Sequence, residues 1–234
     1  MAKKVFLGVG HGGKDPGAVA NGFKEKDLNL SIALACNNEL ARHGVSVLMS
    51  RTNDASDSLD DRVKECNAFN PDLAIDIHNN AGGGDGAEAF YHYKGGASKT
   101  LADNVLAEIV KIGQNSRGAK TKTNSAGKDY YGFIRETKAP AVIVECAFVD
   151  NAKDMQILDT EAERQKIGIC IAKGILKSLG IAYKAPVVVE EKKETSSGTS
   201  GKIYRVQVGA YSVKANAEAM QKKLKAAGFD AVIV

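Results

Sequence analysis

Four side chains in this sequence stand where their chemistry asks for an explanation: His11, Glu25, His78 and Glu145. His11 leaves the apolar run Val5–Val9 in VFLGVGHGG, and His78 ends DLAIDIH. Both histidines thus sit at the exit of a buried strand, and in an open α/β sheet strand ends meet along one edge, where ligands bind. Glu25 stands just ahead of an amphipathic stretch that reads as a helix. Glu145 interrupts VIVECAF (142–148), where a buried carboxylate is costly unless it is paired or used. Two imidazoles and a carboxylate make the donor set of a catalytic zinc site, which keeps three protein ligands and an open water position. Either glutamate can be the third ligand while the other handles protons; spacing alone leaves that choice open.

The first histidine loop has a competing meaning. Gly8, Gly10 and Gly13 spell G-x-G-x-x-G after a strand, the fingerprint of dinucleotide binding. A Rossmann turn, however, opens at once into its helix so that the amides there face the pyrophosphate. Here Pro16, Gly17 and Gly22 delay the helix, and the second strand ends Ser50-Arg51 with no acid for a ribose. Nothing in the fingerprint uses His11, so the metal reading stands. His43, beside Gly44 at a helix end where a cation suits the dipole, and His92, alternating within a strand, read as structural.

The elements that must position these groups alternate in type. Strands are expected at 3–9, 45–50, 72–78, 87–93, 130–135 and 141–148. Helices are expected at 27–43, at 58–69 behind a capping-box start at Ser58, at 97–112 and at 153–179. The alternation predicts an α/β fold: a mixed, largely parallel twisted sheet with helices on both faces. Residues 184–201 lose periodicity and read as a flexible linker, which makes 1–183 the catalytic domain. Residues 202–234 then supply a strand (203–210), a helix (214–227) and a strand (230–234), a βαβ segment too small to bury an adequate core alone.

Composition removes several classes of function. With 44% hydrophobic residues among 234 there is ample core material, yet no run resembles a membrane span. Residues 202–234 carry six basic and two acidic side chains, so the net +4 belongs to that segment, and no basic stripe interleaved with aromatics suggests nucleic acid. Cys36, Cys66, Cys146 and Cys170 lie in apolar patterns and read as buried free thiols. The apolar run in MAKKVFLGVGHGG is too short for a signal peptide, so synthesis in the cytoplasm without an export signal is expected.

GHGGKDPGA (10–18), Glu25, SRTND (50–54), DIHNN (76–80) and VECAFVDN (144–151) resemble, in order, the motifs of the zinc-dependent N-acetylmuramoyl-L-alanine amidases, bacterial and phage cell-wall hydrolases. The likeness spans nearly all of residues 3–180. It implies one Zn2+ per chain on His11, Glu25 and His78, with Glu145 as the catalytic acid and base and Asn80 as a substrate contact. It also implies hydrolysis of the amide between N-acetylmuramic acid and L-alanine in peptidoglycan, by a phage endolysin or a lysis-associated enzyme that meets the wall after lysis or membrane permeabilisation. Two alternatives remain: a zinc peptidase cutting within the stem peptide, and a non-catalytic wall-binding protein. Val9, Asp76 and Cys146 depart from the usual motifs, and none is expected to touch a ligand. YRVQVGAYSVKANAEAMQKKLKAAGFDAVIV (204–234) resembles the first half of a SPOR domain, a glycan-binding module of two βαβ units. Two copies pairing through residues 202–234 into a homodimer are therefore expected.

Overall fold

The structure, a computed structural model, describes residues 2–186, 214–226 and 228–233. The chain divides into two compact units, Met1–Pro186 and Val187–Val234. The first unit begins with β1 (Lys4–Val9), a two-stranded hairpin of β2 (Val19–Ala20) and β3 (Phe23–Lys24), α1 (Glu25–Arg42) and β4 (Ser46–Met49). Then come α2 (Leu59–Phe69), β5 (Leu73–Asn80), β6 (Ala87–Tyr91), α3 (Ala97–Ile109) and β7 (Ser116–Lys120). It ends with α4 (Gly132–Glu136), β8 (Ala141–Phe148) and α5 (Glu161–Ser178). The main sheet has the order β4-β1-β5-β8-β6-β7, and every pair is parallel except β6 with β8. This is the mixed, largely parallel sheet expected.

Three of the inner strands, β1, β5 and β8, carry nearly unbroken apolar runs because both their faces are covered. On one face Val5, Leu7, Ile75, Ile77, Val142 and Val144 pack with the apolar sides of α1, α3 and α5. On the other, Phe6, Ala74 and Ile143 meet Val63 of α2 and Phe133 of α4, with the Phe6 and Phe133 rings stacked at 6.3 Å. Each such large apolar side chain contributes about 1.5–3 kcal/mol by leaving water. The second cluster covers only the N-terminal halves of the inner strands. Beyond it, the residues that share its face are Gly8, Asp76, His78, Asn80, Glu145 and, on β6, Glu88. A polar floor replaces the core there.

Local signals explain the helix ends. Ser58 Oγ accepts the Asp61 amide at 3.1 Å, and Asn70, in a left-handed conformation, stops α2. Thr160 caps α5 in the same manner through the Glu163 amide.

Four sequence expectations need correction. Residues 130–135 form a turn leading into α4, not a strand. Phe133 and Ile134 are adjacent and both buried against the same cluster, which a helical turn permits and a strand, with alternating faces, does not. SRGAK (116–120), read as loop, is the edge strand β7; an edge strand needs no apolar alternation. The helix expected from 153 starts at Glu161 behind a single helical turn at Asp154–Ile157. In the second unit α6 (Lys214–Ala226) forms as expected, but residues 230–233 carry no strand. Gln221 Nε2 instead donates to the Ala231 carbonyl at 2.9 Å. The expected strand 203–210 and the linker from 187 onward lie outside the described residues. Lys184, placed in that linker by sequence, donates its amide to His43 Nε2 at 2.9 Å and so is tied to the end of α1. Among the described residues no helix is long and apolar enough to cross a membrane.

Candidate metal centre

β1 and β5 are parallel neighbours, so their C-terminal ends bring His11 and His78 together, ring centroids 5.0 Å apart and nearly perpendicular. The glycines of the first loop serve this approach rather than a phosphate. A Cβ on Gly10 would lie 2.3 Å from the His78 ring, and one on Gly8 would lie 2.5 Å from Asp76 Oδ1. His11 itself takes a left-handed backbone, φ 63°, uncommon for a residue with a side chain.

Glu25 opens α1, two residues earlier than expected, and its buried carboxylate faces both rings. Oε2 is 3.1 Å from His11 Nε2 and Oε1 is 3.0 Å from His78 Nδ1. One donor atom from each of the three residues falls within 4.8 Å of the others. Two imidazoles and a carboxylate converging on one point are the donor chemistry of a zinc site. Burial opposes ionisation of Glu25, yet the bonds from His11 and His78 hold its carboxyl well below the usual range. The same bond from Glu25 raises His11; for His78 burial works against the rise that Asp76 and Glu25 impose.

A second layer fixes each donor. Asp15 Oδ2 takes His11 Nδ1 at 2.7 Å, leaving Nε2 for the centre, and Asp76 Oδ2 lies 3.5 Å from His78 Nε2. Such carboxylate–imidazole pairs set the tautomer and orientation of a ligating ring. Asp76 was expected to touch no ligand; it touches one, and Arg62 Nη1 anchors it from below at 2.7 Å. Glu25 Oε1 also accepts the Asn79 amide at 3.1 Å and Asn29 Nδ2 at 3.3 Å. Arg51 of the SRTND stretch, buried, spends its guanidinium on carbonyls: Val9 at 3.2 Å, Gly10 at 3.2 Å and Lys26 at 2.7 Å. One cation thus ties the residue before His11 to the residue after Glu25. Asp54 of the same stretch holds the Gly13 amide and the Lys26 ammonium.

Register carries the site across the sheet. His78 pairs with Glu145 on β8, and Glu145 pairs with Glu88 on β6. The row therefore reads imidazole, carboxylate, carboxylate. The two acids differ sharply. Glu88 bonds Asn80 Nδ2 at 3.0 Å, Arg117 Nε at 2.8 Å and Lys120 Nζ, and these cations lower its pKa against the effect of burial. Glu145 Oε2 is buried with no hydrogen-bond partner among the described residues, and burial pushes the carboxyl up to about 7. A carboxyl poised near neutrality beside a metal-ligand set is suited to proton transfer.

The structure thus brings His11, Glu25, His78 and Glu145 together and seats Asn80 at their side. Asn80 Oδ1 accepts the Ala81 amide at 2.8 Å, leaving one amide hydrogen uncommitted among the described residues. His43 and His92 stay apart from the centre, on the Glu39 carbonyl and beside Asp129 respectively. All four cysteines are free and buried. Sequence reasoning did not find Asp15, Asn29, Arg51 or Glu88. Asp15 carried a usable signal, four residues from His11 in the same loop.

Residues 5–177 match the family Amidase_3, described as N-acetylmuramoyl-L-alanine amidase, and residues 200–234 match the SPOR domain. The chain is 35% identical to the sporulation-specific N-acetylmuramoyl-L-alanine amidase of Bacillus subtilis, over 99% of this chain and 84% of the relative. It is also 35% identical to the endolysin of Bacillus phage SPP1, over 89% of this chain and 77% of the relative. Among solved structures, the catalytic domain of CwlV, an N-acetylmuramoyl-L-alanine amidase from Bacillus (Paenibacillus) polymyxa var. colistinus, superposes with a TM-score of 0.69. That match has 30% identity and covers 77% of this chain and 99% of that one.

Proposed function

This chain belongs to the N-acetylmuramoyl-L-alanine amidase family of cell-wall hydrolases, and on that premise we propose how its residues divide the reaction. One zinc ion is held by His11, Glu25 and His78; Glu145 moves the proton; Asn80 offers its remaining amide hydrogen to the substrate. The observation that carries this reading is the convergence of three donor atoms within 4.8 Å, one strand away from a carboxylate whose Oε2 is buried without a partner among the described residues.

Bound there, zinc would polarise the scissile carbonyl and acidify a water. Glu145, raised to about 7, accepts the proton of the attacking water and passes it to the nitrogen that leaves as the amine of L-alanine. Asp15 and Asp76 hold the two imidazoles in orientation while this occurs. Apolar walls from Phe90 and Tyr131, with rings 4.8 Å apart, border the floor beyond Glu88.

Mass spectrometry of digested peptidoglycan tests the bond cut. A free lactyl carboxyl and a new L-alanine amino terminus are expected, together with loss of both on chelation. New ends inside the stem peptide would instead support the peptidase alternative, and intact wall the non-catalytic one. Residues 1–183 are taken as the catalytic domain, 184–201 as linker and 202–234 as a SPOR-like wall-binding segment. Phe229, Val232 and Ile233 are exposed in that segment, which favours pairing of two copies. Light scattering should give a dimer for the whole chain and a monomer for residues 1–184; equal masses exclude it. The likeness to a phage endolysin supports action on the wall after lysis or membrane permeabilisation.

A further inference from the structure

We propose that Arg117 is the receptor for a stem-peptide carboxylate, so that this enzyme prefers substrates whose second stem residue keeps a free α-carboxylate over those in which that group is amidated. The inference rests on the amidase reading and adds the choice of substrate to it.

The argument begins with an irregularity of register. Ala87 pairs with Ser116, but the next residue, Glu88, pairs with Gly118, leaving Arg117 without a partner. This is a β-bulge, a device that re-aims a side chain and is frequent beside active sites. Gly118 makes it feasible: its φ is +82°, and nothing lies within 4 Å of where a Cβ would be, so backbone freedom and not space calls for glycine. Through the bulge Arg117 Nε reaches Glu88 Oε2 at 2.8 Å.

What remains of the guanidinium is an unused recognition edge. Among the described residues neither Nη1 nor Nη2 of Arg117 has a hydrogen-bond partner, and the side chain is 37% exposed. Its plane is supported by the Phe148 ring, 5.1 Å away. Glu88, by contrast, is buried, with a side chain only 7% exposed. An arginine held at Nε and backed by a ring presents a preorganised fork for a carboxylate. With Lys120 on the same glutamate, two cations share one bonded carboxylate, so Glu88 does not occupy Arg117 alone.

The position fits the leaving side of the substrate. Glu145 delivers its proton to the departing amine, so the stem peptide extends from Glu145 away from the ligand triad. In that direction lies Glu88, one strand over, and then Arg117; neighbouring strands put the fork within about 10 Å of Glu145. Two residues of extended peptide span about 7 Å, which brings the second stem residue to it.

Two muramoyl tetrapeptides, identical except for an α-carboxylate or an α-carboxamide on the second residue, form the test. Wild-type kcat/KM should be about tenfold or more higher on the acid, as befits a charged, bidentate contact. Arg117→Gln should lower the acid's value through KM and bring the ratio close to one, with zinc content and melting temperature as for wild type. Arg117→Lys should keep part of the preference. A ratio of one in wild type overturns the proposal, as does a ratio that survives in Arg117→Gln or equal losses on both substrates. Cleavage of neither peptide by the wild type overturns the amidase reading and this inference with it.

Discussion

The two halves of the site are built on opposite rules. On the β1–α1–β5 side the donor groups are tied down: Asp15 backs His11, Asp76 backs His78, Asn29 and Asn79 hold Glu25, and Arg51 joins the two backbone segments that present them. On the β8–β6–β7 side, groups are left incomplete: Glu145 Oε2 lacks a partner, and the outer edge of Arg117 is open among the described residues. The first arrangement suits a job in which nothing should move, the second a job in which protons and substrate must come and go. Buried polar atoms without partners are costly. Asp76 Oδ1 and Asn79 Oδ1 on the first side share that state with Glu145 Oε2, but the other polar atom of each of those two side chains is bonded, to Arg62 and Asn29 respectively.

The largest effect that could break this contrast is loss of the metal half. His78→Ala, or a chelator, should remove zinc and abolish wall hydrolysis; a variant that binds zinc as before would show that the tied-down half is not a metal site. Next comes the open half. Glu145→Gln should lower kcat by about 10²–10⁴ while zinc content and melting temperature hold, since proton transfer is the only role it loses. Loss of zinc in that variant would merge the two halves and make Glu145 a ligand. A smaller change sharpens the boundary: Asp15→Asn should weaken zinc binding about 10–100-fold in a competition assay, because the backing acid of a ligating imidazole is typically worth that much. Undiminished affinity would reduce Asp15 to a loop contact. The smallest expected effect lies outside both halves. Ser58→Ala removes the cap of α2 and should cost about 1 kcal/mol in denaturant unfolding without altering zinc content or turnover.

The same division separates what was legible in the sequence from what was not. His11, His78 and Glu145 announce themselves because each breaks or ends an apolar strand, and strand ends converge by topology. Glu25 was visible as an acid near a helix start. Asp15, Asn29, Arg51 and Glu88 were not, because their roles are set by partners far along the chain; Glu88 gains its meaning only from a register with β8 that no local pattern encodes. Asp76 was seen and misjudged: its alternation with His78 puts both on one face, yet it was expected to stay clear of the ligands. In the fold, the inner strands and long helices followed from periodicity. β7 and α4 did not, since an edge strand can be polar throughout and a five-residue helix is decided by the core cluster it fills.

That β7 lies at the sheet's edge has a consequence for how the enzyme can change. The row from His78 to Glu88 is locked between inner strands, where a slip in register would move every side chain to the wrong face. Among the described residues β7 is bonded on one side only, to β6, whose other neighbour is β8. With Arg117 in the role proposed above, replacement of SRGAK by another short segment would alter which wall chemistry is accepted while the hydrolytic apparatus is inherited intact. Selectivity here is a detachable trait, open to drift in nature and to grafting in the laboratory.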